Sequence, residues 1–461
     1  MRESNAHRAL LFGVLCAACA GANVDPRPDQ ERARSLIEAT TGRSEMFDPD
    51  VPLLSTSEID ALLVDGLALE EALRLALLNN RRLQAQFLGL GVARADLVQA
   101  GLLRNPSLGV GFLIPSGGGR TKLTADLVAN IADLWQLPDK QKVADLALAE
   151  SVYDVSRFAG ELVVQTQGSY FESVAARELA AHAQESVNVS RSMLEAVQER
   201  VHAGVATIVE ANIAHSQLLA AELAARRADV ANSTAKRRLA ALLSLEQDLV
   251  SVELVDPLPE PSPTNRDRES LVARARASRL DVRAAEAGIR TADAQVELER
   301  RRVWPTLDIG LSAERPEGGS STDLLAGPTV STTLPIFDRN TAQIRRAQFR
   351  REQLQREYEA LVADVTQDVR AASDRAASAA QSARFVSDEL LPQAERSAEL
   401  ARVAYDLGST TMLALLESRR AALLARQYRI EAFLVATQAR IELECAIGAP
   451  ASSVSGAAAQ P

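Results

Sequence analysis

The sequence predicts a mainly α-helical fold with a small β part, in which long coiled-coil helices carry short hairpins. Three observations predict it. The chain is written twice: Arg94–Phe112 returns as Asp293–Leu311, with Pro106, Leu108, Val110 and Gly111 falling on Pro305, Leu307, Ile309 and Gly310. A second echo pairs Arg200–Ala211 with Ala404–Leu415, so that Gly204 falls on Gly408. Such duplication means that one supersecondary unit is used twice. Aromatic residues make up only 4% of the chain while Ala, Leu, Arg, Glu and Gln dominate, a composition of extended helices rather than of one large core. Finally, Val143–His202 holds no proline and Ile344–Leu407 only Pro392. Each stretch would span roughly 90 Å as a helix, a length stable only when packed along other helices.

The elements follow in order. Arg2 and Arg8 precede the apolar run Ala9–Leu15 and small residues through Ala22, an export signal expected over residues 1–19. No other stretch is apolar enough for a transmembrane helix, so any membrane crossing requires a closed β-barrel. Of three cysteines, Cys16 and Cys19 lie in the signal and Cys445 is left alone, which excludes a disulfide framework. Cys16-Ala17-Ala18-Cys19 resembles a lipoprotein processing site, making Cys19 a candidate for lipidation, with plain cleavage as the alternative. Residues 20–65 carry Pro26, Pro28, Pro49 and Pro52, too broken for a long helix, and are expected to form a strap or a disordered extension.

The first repeat is expected over 66–250. A helical pattern from Leu67 to Leu103 is stopped by Pro106. In the hairpin 107–131, Leu108, Val110 and Phe112 alternate with Ser107, Gly109 and Gly111. After the loop SGGGR, Leu123, Ala125, Leu127, Ala129 and Ile131 alternate with Lys122, Thr124, Asp126, Val128 and Asn130. Period two marks strands with two unlike faces, and about ten tilted residues cross a bilayer's hydrocarbon. A long helical hairpin turning near Gly204 completes the repeat. The Pro-rich segment 251–267 is a linker, and the second repeat, 268–449, has its hairpin at 306–334 and its helical turn near Gly408. A tail, 450–461, follows. Trp135 and Trp304 lie where the hairpins meet the helices, as interfacial anchors or, alternatively, as buried corners. Four strands cannot close, because open edges in lipid leave backbone groups unpaired at several kcal/mol each, so a homo-oligomer is required.

With the paired halves, LPIFDRNTAQIRRA at Leu334–Ala347 and Tyr405-x-x-Gly408-Ser409, the chain resembles the TolC-like outer-membrane efflux ducts, in the branch serving resistance-nodulation-division systems. The resemblance covers about Leu67–Gly448. It implies a homotrimer whose twelve strands form a transmembrane β-barrel in outer-membrane lipid, continuous with an α-helical barrel in the periplasm. It also implies docking to a periplasmic adaptor and an inner-membrane pump through the helical turns Gly204, Val205, Ala206 and Gly408, Ser409, and export of drugs or metal ions. By the same resemblance Glu210, Tyr405 and Glu417 belong to a periplasmic gate, where clustered carboxylates repel one another and draw cations. Ala414 and Thr410 replace an acid and an arginine of the pattern, which implies a looser latch. Both glutamates also read as ordinary solvated helix residues.

A type I protein-secretion exit duct shares this architecture, and a soluble coiled-coil scaffold would explain the helices but not the alternating strands. SGGGR lacks the Lys-Ser/Thr of a phosphate loop. His7, His182, His202 and His215 show no metal-ligand spacing, no cofactor is implied, and no catalytic constellation emerges, so no enzyme is read. A formal charge of −10 argues against a nucleic-acid partner.

Overall fold

The computed structural model describes residues 23–114, 116–117, 121–262, 267–303, 306–315 and 324–448. The expected signal with Cys19, Trp304 and the tail 450–461 lie outside the described residues. The chain divides into two compact units. One comprises Met1–Arg32, Leu88–Asp154 and Asp281–Ala360; the other comprises Ala33–Phe87, Val155–Leu280 and Leu361–Pro461.

The N-terminal segment departs from the sequence expectation, because α1 (Arg27–Thr41) is a helix of 15 residues. Pro28 sits in its first turn, where a missing N–H costs nothing, so the prolines frame the helix instead of breaking it. Ala33 and Ile37 on this helix are fully buried. A short α2 (Thr56–Leu63) starts with a reciprocal cap between Ser55 and Glu58. The helix expected over Leu67–Leu103 is two, α3 (Leu69–Asn79) and α4 (Arg81–Ala100). They part at Asn80, which is extended and whose Oδ1 accepts the N–H groups of Arg82 and Leu83, both at 3.0 Å, as the N-cap of α4.

Strands β1 (Ser107–Leu113) and β2 (Lys122–Asn130) follow, then α5 (Asp133–His202), 70 residues long, and α6 (Ile208–Leu242). The order recurs as α7 (Arg268–Ser278), α8 (Leu280–Arg301), β3 (Leu307–Arg315), β4 (Leu325–Thr332), α9 (Thr341–Phe385), α10 (Leu391–Asp406) and α11 (Met412–Ile447). Between α9 and α10 a wider π turn, Val386–Leu390, precedes Pro392. Proline lacks the N–H of the regular ladder and its ring crowds the carbonyl four residues back, and the wider turn relieves both.

The four strands form one antiparallel sheet in the order β1-β2-β3-β4. In the other unit the chain between the repeats is held by buried polar groups. The Tyr170 hydroxyl donates to Leu67 O at 2.9 Å and meets both Oδ2 and the N–H of Asp256 at 3.1 Å. Lys236, 6% exposed, donates to Val250 O at 2.9 Å and Val252 O at 2.7 Å. Burial, and then the neighbouring Arg177 charge, hold the Lys236 ammonium below the usual lysine pKa.

Candidate functional site

The sheet has two chemically distinct faces. Directly opposed residues lie on one face, and the register aligns Leu108 with Leu127, Val110 with Ala125 and Phe112 with Leu123. The same row continues through Leu311 and Ile309 to Pro328 and Val330. This apolar face is turned outward, with Leu108 70%, Phe112 67% and Val330 72% exposed. A water-soluble sheet would cover such a face, so its exposure marks a surface made for lipid.

The opposite face carries Gly109, Gly111, Thr124, Asp126, Ser312 and Thr329. It is tied by side-chain pairs, with Lys122 Nζ 2.7 Å from Glu314 Oε1 and Asn130 Nδ2 donating to Asp308 Oδ1 at 2.8 Å. A Cβ on Gly111 would lie 2.6 Å from Thr124 Oγ1, and one on Gly310 would lie 2.7 Å from Leu127 O, so glycine keeps the polar face thin there. Below β2, Asp133 is buried and bound by Arg104 Nε at 2.9 Å and Lys140 Nζ at 2.6 Å. Burial alone would raise its pKa, but the hydrogen bonds and charges of Lys140 and Arg104 outweigh it and hold the carboxyl below its usual range. Trp135 lies in the first turn of α5, half-buried, with its carbonyl accepting from Arg301 at 3.1 Å.

The second constellation is the pair of helical turns. Gly204 and Gly408 adopt φ of +72° and +70°. At the first, Val205 N–H reaches Arg200 O at 2.9 Å and Gly204 N–H reaches Val201 O at 3.0 Å. At the second, Ser409 N–H reaches Ala404 O at 2.8 Å and Gly408 N–H reaches Tyr405 O at 2.9 Å. Both are the left-handed helix stop in which glycine avoids a Cβ penalty. Thr207 and Thr411 then restart the chain as N-caps of α6 and α11.

The caps differ in one way that bears on the gate residues. The half-buried Glu210 turns its carboxylate back on its own helix and accepts the Thr207 N–H at 2.7 Å, closing a capping box. Ala414 occupies the matching position and leaves the second cap one-sided, with Thr411 Oγ1 accepting from Ala414 N at 3.3 Å. Glu417 is exposed on α11.

Tyr405 packs with Val197, Leu194, Met412 and Leu415 in the small core that binds the two helical hairpins at their turns. The Arg200 guanidinium lies over its ring at 4.7 Å from the centroid, and Arg200 Nε has no hydrogen-bond partner. The structure thus brings Tyr405 to Arg200, and among the described residues neither Glu210 nor Glu417 hydrogen-bonds to it. Sequence reading missed Arg200, because nothing local to it signals a tyrosine on the other hairpin. Val205, Ile208 and Leu407 leave an apolar rim around the turns, 64%, 66% and 78% exposed.

Comparison with known proteins agrees with this geometry. Residues 271–449 match the outer membrane efflux protein family. The chain is 28% identical over 372 residues to the cobalt-zinc-cadmium resistance protein CzcC of Cupriavidus metallidurans, covering 78% of this chain and 85% of that protein. The CmeC outer membrane channel of Campylobacter jejuni superposes with a TM-score of 0.70 at 16% identity, covering 89% of this chain and 91% of that one. The outer membrane protein VceC of Vibrio cholerae gives 0.68 at 19% identity, covering 83% and 96%. The second repeat matches the outer membrane efflux protein family, the relative aligns along most of the chain, and the fold is shared with outer membrane channels, so the chain is similar to the TolC-like outer membrane efflux proteins.

Proposed function

We propose that three copies of this chain close a twelve-stranded pore in the outer membrane and that a periplasmic adaptor, carrying an inner-membrane pump, meets it at the two glycine turns. The observation that carries the reading is the sheet: four strands, one face apolar and exposed, one face polar, and free edges at β1 and β4. Hydrogen bonding along those edges has to come from other copies once lipid surrounds them. The polar face then lines the lumen. An apolar rim with left-handed glycine stops suits docking against another protein's apolar surface.

The proposed cargo is small, with divalent metal cations favoured by the relative named for cobalt, zinc and cadmium resistance and drugs as the alternative. The protein acts as a conduit, and selection falls to the pump. Cell fractionation tests the reading. Expected is a protein in the outer membrane that leaves it only with detergent and runs as a heat-sensitive trimer. A monomer in plain buffer would overturn it.

A further inference from the structure

The start of α9 carries charge opposite to that of the whole chain. Arg339–Arg351 contains five arginines and no carboxylate, in a protein of formal charge −10. Arg345, Arg346 and Arg350 line a shallow groove of about 630 Å³ together with Phe349. Arg345 donates to Gln348 Oε1 at 3.1 Å, and the charge of Arg350 is felt by Glu150, but none of the three arginines forms an ion pair among the described residues. Arg351, one residue on, shows the ordinary alternative, with its Nε 2.6 Å from Asp293.

Clustering these cations costs repulsion; Glu150 offsets part of it at Arg350, while Arg345 and Arg346 have no ion pair among the described residues. An anion from outside would offset the rest. The place of the groove says which. β4 ends at Thr332 and α9 begins at Thr341, so Arg345 and Arg346 lie about one turn, and Arg350 about two to three turns, from the helix start. Side chains on a helix lean toward its N-terminus, here toward the strand end and the bilayer. The headgroup band flanking the hydrocarbon is about 5 to 8 Å thick, so Arg345 and Arg346 snorkel toward it from the first turns and Arg350 adds its charge from below. Between strand and helix, Leu334, Ile336 and Phe337 are 61%, 63% and 101% exposed, and Phe349 among the arginines is 66% exposed. Apolar groups beside cations match the two chemistries of a phospholipid, acyl chain beside phosphate.

We propose that Arg345, Arg346 and Arg350, with Phe349 between them, bind the phosphate headgroups of anionic phospholipid in the periplasm-facing leaflet of the outer membrane. The inference rests on the membrane-pore reading. Its test uses the full chain purified in detergent and placed in lipid nanodiscs of phosphatidylcholine, with or without phosphatidylglycerol. Retained lipid is read by native mass spectrometry and stability by thermal melting.

Wild-type protein should retain phosphatidylglycerol selectively and melt higher in its presence, while inorganic phosphate at equal concentration should leave melting unchanged. The R345Q/R346Q/R350Q variant should lose selectivity by about tenfold or more, and R345K/R346K/R350K should keep most of it. Equal retention of both lipids by the wild type would overturn the proposal without any variant. So would a glutamine variant whose trimers fall apart equally in both lipids, which would show that a second copy covers the groove, or a melting rise with phosphate alone. A protein stable without detergent would instead overturn the pore reading itself.

Discussion

At Tyr170 a single hydroxyl joins the helix α5 to the backbone of Leu67 and to Asp256, and its environment makes it a pH-sensitive pin. Burial, and then the Asp256 carboxylate, push its pKa up from 10 to about 12. The folded state therefore favours the neutral phenol. Its contribution is present in full below pH 10 and is lost as pH rises toward about 12, amounting to roughly 3 kcal/mol at most. Thermal melts of wild type should fall steeply over that interval, and Tyr170→Phe should flatten the fall while lowering stability near neutrality. Parallel curves would remove Tyr170 from the linkage. At the turns, Glu210 and Glu417 do different work. Glu210→Ala should cost the capping box, about 0.5 to 1 kcal/mol of local stability, whereas Glu417→Ala should leave it untouched. If both acids also reach the pore axis in the trimer, Glu210→Gln with Glu417→Gln should weaken cation block of bilayer currents; unchanged currents would leave Glu210 as a cap alone. The glycines were legible because a left-handed stop needs them. The capping role of Glu210 could be read from Thr207-x-x-Glu210, but the arginine over Tyr405 could not, since that contact is made only when two hairpins far apart in the chain pack together.

Among the elements, the strands were read most fully, because period two exposes both faces without any knowledge of partners. The register was not legible, since it depends on which strands meet. It shows that Leu311 stands beside Leu127 on the apolar face and Ser312 beside Asp126 on the polar one. Leu311→Arg should destabilise the inserted barrel by about 2 to 4 kcal/mol, and Ser312→Arg by much less. Heat-modifiable migration of the trimer checks this: a larger loss for Ser312→Arg would put the faces the wrong way round, and equal loss would remove the distinction between them. Helix boundaries were less legible for a local reason. Pro28 was counted among the breakers of the N-terminal segment, yet it sits in the first turn of α1, where the ladder has nothing to lose. Conversely, nothing in the apolar pattern across Leu67–Leu103 announces the cap made by Asn80.

For the whole molecule, the turn glycines separate assembly from transport. Neither has an atom within 4 Å of an added Cβ, so a side chain there meets no neighbour, only backbone strain of about 1 to 2 kcal/mol. Gly408→Arg should leave trimers intact yet abolish export, measured as cargo resistance in cells supplied with the adaptor and pump. Normal resistance would remove the turn from the docking surface. The unpaired margins of the sheet have a further outcome in living cells. A ring that needs every member is poisoned by a few bad ones: a copy whose β1 margin is spoiled by proline still offers a sound β4 and so enters mixed rings. With equal expression of sound and spoiled copies, only about one ring in eight would be wholly sound, so such an allele should act dominantly over the normal one.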